Sequence, residues 1–258
     1  MTNSLTIVKI GGAVLEEAGS LSAFLDFFCA LEGRKLLVHG GGRTATQTAA
    51  RLGIETRMVD GRRVTDAPML DVCTMVYGGL VNKRVVAGLA ARGVRAIGLT
   101  GADADLIRAH RREVKDVDYG LVGDIDTVDG EMLGRLIEQG LTPVVAPLTH
   151  DGAGTLLNTN ADTIASQTAC ALARLYPTTL VFCFEKAGVL RDPGDDQSVI
   201  PLITPASYAR LKAEGIVAGG MIPKIDNAFE ALHAGVDRVI ITSSDALGVQ
   251  GCGTIITL

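Results

Sequence analysis

The sequence has no excess of basic charge: 24 lysines and arginines stand against 29 aspartates and glutamates, a net charge of −5. Sequence-independent nucleic-acid binding needs a basic footprint, so that class is excluded, while a few placed lysines still suffice for a small anionic substrate. There is no CxxC pair. The five cysteines (Cys29, Cys73, Cys170, Cys183 and Cys252) are scattered and odd in number, which argues against a disulfide framework or zinc site and for a reducing cytosol. No uncharged apolar run approaches the roughly 18 residues of a membrane span. Lys9 interrupts the only candidate leader segment, so the expectation is a cytoplasmic chain without a membrane contact. A P-loop G-x-x-x-x-G-K-[ST] is also missing, which excludes Walker-type phosphoryl transfer. What the chain does have is core: 47% of residues are apolar and 21% charged, an ordinary globular balance. Its 258 residues correspond to roughly 1.7 typical domains, hence one large domain or two tightly joined lobes.

Short aliphatic runs read as buried parallel strands at Leu5–Ile10, Lys35–His39, Val94–Leu99, Thr142–Ala146, Thr179–Phe184 and Arg238–Thr242. Helical patterns fall between them at Leu21–Leu31, Thr44–Leu52, Met69–Ala91, Gly130–Gln139, Ala161–Leu175, Ala206–Ala213 and Pro223–Ala234. This alternation predicts an α/β fold, an open and mainly parallel sheet between two helical layers. Arg57–Thr65 and Ile107–Thr127 break the rhythm and read as projecting hairpins. No linker divides the chain, so any two lobes share one sheet.

Ligands of such sheets bind beyond the carboxyl ends of the strands, and glycines gather there: Gly11-Gly12 after Ile10, Gly40-Gly41-Gly42 after His39, Gly101 after Leu99. One glycine after a strand is a turn; three clusters at equivalent edges suggest backbone approaching an anion. The triplet also fits the dinucleotide fingerprint G-x-G-x-x-A through Ala45, with Asp60 about 20 residues on as the ribose acid. That acid should end the second strand of a βαβ unit, whereas Asp60 sits in a hairpin pattern, so a dinucleotide-binding oxidoreductase is a remote alternative. Lys9 lies inside an aliphatic strand, a costly place for an ammonium unless an anion meets it. Lys224, after Gly219-Gly220-Met221-Ile222-Pro223, stands at the positive end of a helix dipole, which fits a cation facing phosphate. Asn158-Thr159-Asn160-Ala161-Asp162 supplies an N-cap in Asn160 and a first-turn acid in Asp162, and Asn158 exceeds what a cap needs. Arg63 has the fork to clamp a carboxylate. His39, His110, His150 and His233 show no metal-ligand spacing, and none reads as a base.

Taken in order, Lys9-Ile10-Gly11-Gly12, His39-Gly40-Gly41-Gly42, Gly61-Arg62-Arg63-Val64-Thr65, Val122-Gly123-Asp124-Ile125, Asn158-Thr159-Asn160-Ala161-Asp162 and Gly219-Gly220-Met221-Ile222-Pro223-Lys224 resemble the amino-acid kinase family, and within it the branch acting on N-acetyl-L-glutamate. The resemblance implies the three-layer αβα fold of that family as one domain over 1–258, with an N-lobe (1–176) for the acyl amino acid and a dimer contact, and a C-lobe (177–258) for ATP. It implies transfer from MgATP to the γ-carboxylate of N-acetyl-L-glutamate in arginine biosynthesis, with N-succinyl-L-glutamate or another acylated acidic amino acid as the alternative substrate. Lys9 and Lys224 would stabilise the transferring phosphoryl group, Asp162 would hold the lysines, and Gly41, Gly42, Arg63 and Asn158 would bind the substrate. Gly11, Gly12, Glu185, Lys186, Gly188, Val189, Leu190, Ile216, Val217 and Ala218 would bind ATP, with Mg²⁺ held mainly by phosphate oxygens. Two departures from the family pattern stand out: Phe184-Glu185 replaces Ser/Thr-Asp, and Ala102 follows Thr100-Gly101 where many relatives carry lysine. Met69, Val72, Cys73, Val76 and Leu80 form one helical stripe, with Leu70 and Tyr77 extending the apolar surface. That excess, with the pairing of related kinases through this helix, implies a homodimer.

Overall fold

Residues 3–219, 221–249 and 251–258 are described by a computed structural model, side chains of Ala13 and Pro223 excepted. Gly220, one of the glycines singled out before Lys224, lies outside that description. An eight-stranded sheet runs in the order Leu202–Ile203, Thr254–Ile256, Arg238–Ser243, Thr178–Phe184, Leu5–Ile10, Arg34–His39, Thr142–Val145 and Ala96–Leu99. Neighbours are parallel except Arg238–Ser243 against Thr254–Ile256. The six strands read from aliphatic runs all form. Two further short strands, Leu202–Ile203 and Thr254–Ile256, were not legible, because two or three residues carry no alternation to count.

Helices cover both faces and divide the core. Leu5, Ile7, Leu180 and Phe182 pack on one face with Ile164, Ala165 and Ile225; Val8, Ile10 and Leu37 pack on the other with Phe24, Phe28 and Val72. The two-residue period of a strand therefore assigns Lys9 to the face of Leu5 and Ile7, under the helices Ala161–Leu172 and Met221–His233. Both expected hairpins form. Met58–Val59 pairs with Arg62–Arg63, and Ile107–Arg111 with Gly123–Val128, the latter joining Leu148–His150 and Leu156–Asn158 in a second, four-stranded sheet.

The long helical pattern is continuous but not uniform. The α-helix Ala67–Cys73, capped by the Asp66 carboxylate accepting from the Met69 N–H at 2.9 Å, passes through a π-helical segment, Thr74–Val81, into the α-helix Asn82–Ala90. The wider turn carries an extra residue and displaces the stripe. Met69, Val72, Cys73 and Val76 are buried as expected, but Val81 takes the core position expected of Leu80, which is 41% exposed.

Candidate functional site

The strand Leu5–Ile10 lies between Thr178–Phe184 and Arg34–His39, so Lys9 is central and cannot snorkel past an edge. Its ammonium is 2.7 Å from Asp162 Oδ1, with the lysine side chain 9% exposed. Asp162 is fixed by its helix start: the Asn160 side chain accepts from the Asp162 and Thr163 N–H groups at 2.8 and 3.1 Å, the N-cap read from the sequence. Lys224, fourth residue of Met221–His233, approaches from the neighbouring helix. Burial holds its pKa below the ordinary lysine range, Asp162 opposes that shift, and Lys9 reinforces it. Two ammonium groups thus converge near one carboxylate.

Beside them opens a cleft of about 470 Å³ lined by Gly11, Gly12, Gly42, Glu185, Lys186, Gly188 and Lys224, seven of the residues expected from sequence, together with Val14, Arg43, Cys183, Phe184, Met221 and Ile241. Gly11 has an ordinary extended backbone, φ −79°. A Cβ at Gly11 or Gly12 would meet nothing closer than 3.8 or 4.0 Å. Neither conformation nor packing demands glycine there. Gly41 differs: its φ of +147° and a Tyr77 ring carbon 3.1 Å from the position of a Cβ exclude any side chain.

Arg63 is 7% exposed. Its guanidinium donates to the Gly42 carbonyl and Thr46 Oγ1, both at 2.8 Å, so it braces the second glycine loop. Asn158 Nδ2 donates to Thr65 Oγ1 at 2.9 Å, and Thr65 Oγ1 donates to the Arg63 carbonyl at 3.2 Å. Gly41, Gly42, Arg63 and Asn158 are thereby tied into one constellation. Five expected nucleotide residues do not line the cleft. Val189 and Val217 are core residues at 2% and 1% exposure, Leu190 bridges to Val199, Ile216 packs against the core, and the Ala218 carbonyl accepts from the Met221 N–H.

Sequence reasoning missed Arg43 and Phe184. Arg43 stands at a helix start directly after a glycine loop, the same misplaced-cation signal that identified Lys224. Its guanidinium reaches Glu185 at 3.0 Å and Glu16 at 3.8 Å across the cleft mouth. Phe184 stands out only as a departure from the family pattern, with no role attached, since an aromatic ending an apolar strand reads as core.

His39 is buried and burial holds its pKa down to about 4; its bond to the Gly40 carbonyl opposes that shift and the Lys83 charge reinforces it. Because that carbonyl accepts at 2.7 Å, Nδ1 carries the proton and Nε2 accepts from Asn82 Nδ2 at 3.2 Å. The ring is a neutral brace for the glycine loop rather than a base. Asp60 turns the hairpin with φ +48° and lines a separate cavity of about 410 Å³ with Arg62, His110, Arg112 and Asp124. The strand that would carry a ribose acid is absent after the helix Gly42–Arg51, where this hairpin follows instead, and the dinucleotide reading falls. No helix among the described residues is long and apolar enough to cross a membrane.

An acetylglutamate kinase of Phocaeicola vulgatus is 60% identical to this chain over 256 residues, covering 99% of each. The acetylglutamate kinase of Methanopyrus kandleri is 41% identical over 256 residues, covering 98% of this chain and all of its own. Among solved structures, N-acetylglutamate synthase from Neisseria gonorrhoeae, complexed with coenzyme A and N-acetyl-glutamate, aligns at TM-score 0.84 and 26% identity over the whole of this chain and 60% of that one. Carbamate kinase from Giardia lamblia bound to AMP-PNP, at TM-score 0.71 and 14% identity over 98% of both chains, shares the fold. The sequence pattern of the amino acid kinase family matches residues 4–243, and with the open parallel sheet and its glycine-edged cleft in view, this chain belongs to that family.

Proposed function

We propose that this chain transfers the γ-phosphoryl group of ATP to the γ-carboxylate of N-acetyl-L-glutamate, giving an acyl phosphate and ADP in arginine biosynthesis. The observation that carries the reading is the convergence of Lys9 and Lys224 on Asp162 beside two glycine loops, in a chain 60% identical to a protein named for that reaction. A carboxylate is already anionic at neutral pH and needs no general base, which suits a site whose second glycine loop follows His39, an imidazole held neutral. The difficulty is to bring two anions together. Catalysis is then positioning plus neutralisation of charge on the equatorial phosphoryl oxygens.

In this reading one carboxylate oxygen of the substrate attacks the γ-phosphorus in line, the bond to the β-phosphate oxygen breaks, and ADP departs. Lys9 and Lys224 neutralise the moving phosphoryl group, and Asp162 keeps Lys9 from drifting onto either substrate's ground-state charges. Backbone N–H groups of Gly11, Gly12, Gly41 and Gly42 face the phosphate and the acceptor, while Arg63 and Asn158 hold the α-carboxylate and amide. Mg²⁺ would enter with ATP, held mainly by phosphate oxygens. We assign a cytoplasmic homodimer, with the exposed Met75 and Leu80 (52% and 41%) facing the second copy.

The test is trapping of the acyl phosphate as hydroxamate, with N-acetyl-L-glutamate, N-succinyl-L-glutamate, L-glutamate and L-aspartate compared side by side. N-acetyl-L-glutamate is expected to give the highest kcat/KM; a preference for any of the others overturns the substrate assignment.

A further inference from the structure

Phe184 ends the strand Thr178–Phe184 on the face that carries Phe182, against which its ring stacks at 6.0 Å. Since Lys9 pairs in register with Phe182, Phe184 lies one same-face step further toward the cleft. The Lys224 ammonium sits 3.5 Å from the centre of its ring and the Lys9 ammonium 5.1 Å from it. One ring thus meets both Lys9 and Lys224, and Phe184 lines both the large cleft and a small adjoining cavity with Asp162 and Asn227.

The charges explain why a ring is useful there. Among the described residues the two ammonium groups face a single carboxylate, Asp162, so the protein's own groups leave one positive charge there uncompensated in a half-buried place. The neighbouring carboxylate, Glu185, is turned to Arg43, and the Lys186 ammonium is paired with Asp196 at 2.6 Å. A further acid against Lys224 would neutralise the site but would also repel the incoming phosphate. The negative face of an aromatic ring attracts an ammonium without carrying a net charge, and it leaves N–H donors on the far side free to point into the cleft.

We propose that Phe184 is a positioning residue for phosphoryl transfer, its ring holding Lys224 and Lys9 at the cleft before the nucleotide arrives. The proposal rests on the roles given above to the two lysines. It is tested by replacing Phe184 with phenylalanine analogues bearing one, two and three ring fluorines, which nearly preserve shape while draining the negative face, together with Phe184→Tyr and Phe184→Leu. The expected result is a stepwise fall of kcat with fluorine number, with KM for both substrates nearly constant. Phe184→Leu loses about 3–20-fold in kcat, the range of a partly desolvated cation–ring contact, and Phe184→Tyr restores it. A kcat indifferent to fluorination, or Tyr and Leu variants impaired alike, overturns the proposal. Lys224→Ala and Lys9→Ala run in parallel: near-normal kcat in both removes the lysine roles and the proposal with them, whereas collapsed lysine variants beside a flat fluorine series remove the ring alone.

Discussion

Lys9 stands where an ammonium is costly. A central strand gives it no edge to escape from, and its pairing with Asp162 at 2.7 Å supplies the counter-charge that the sequence demands of such a position. The same physics marks Lys224 and Asp162, one at the wrong helix end and the other at the right one. Arg63 was ambiguous, because two adjacent arginines on a hairpin look like surface charge; its burial against Gly42 and Thr46 separates it from Arg62. Arg63→Lys keeps the charge and loses the fork, so KM for the acyl amino acid should rise at least about tenfold while kcat changes less; steady-state kinetics varying each substrate in turn checks this, and an effect confined to ATP would misplace the residue. Gly41→Ala should lower stability by about 1–3 kcal/mol in urea unfolding, since its backbone conformation is strained for any side chain and Tyr77 occupies the space.

Among the elements, strands and helices followed from aliphatic runs and their spacing, and the departures have identifiable causes. The π-helical segment Thr74–Val81 was invisible because a 3.6-residue stripe assumes a uniform helix. The added residue moves Val81 inward, turns Leu80 outward and delivers Asn82 to His39 and to the Val144 carbonyl at 3.0 Å. The same displacement leaves Met75 and Leu80 exposed, the apolar surface assigned to the homodimer. Leu80→Asp should therefore shift the mass measured by light scattering from dimer to monomer with the fold retained by circular dichroism. A wild-type monomer, or a variant that stays dimeric, contradicts that assignment. The burial of two expected nucleotide residues was not legible for a related reason: Val189 and Val217 are apolar side chains absorbed by the core, and position along the chain cannot distinguish a residue that lines a cleft from one packed behind it.

For the whole molecule, the sheet brings three strand ends together so that glycine loops, lysines and acid meet at one edge, while the other face is closed by aliphatic packing. His39 links that architecture to pH. Its folded pKa of about 4 lies below the ordinary 6.5, so the unfolded chain binds the proton more readily and stability falls as pH drops through this interval. From 6.5 to pH 5, at about 1.4 kcal/mol per pH unit, the loss attributable to this group is about 2 kcal/mol. Denaturant unfolding at pH 7 and pH 5 should show the wild type losing more stability than His39→Gln by roughly that amount; equal losses would mean the buried imidazole is not the titrating group.

The central claim is that transfer depends on charge neutralisation by the two lysines and not on a base. Rapid-quench single-turnover measurement, with saturating N-acetyl-L-glutamate and bound ATP, reports that step directly in the wild type, Lys9→Ala and Lys224→Ala. Loss of a charged transition-state contact predicts transfer slowed by about 10²–10³-fold in each variant, with the folded state retained. Transfer within about tenfold of the wild type in either variant, a loss of less than about 1.4 kcal/mol of transition-state stabilisation, would contradict the claim for that lysine.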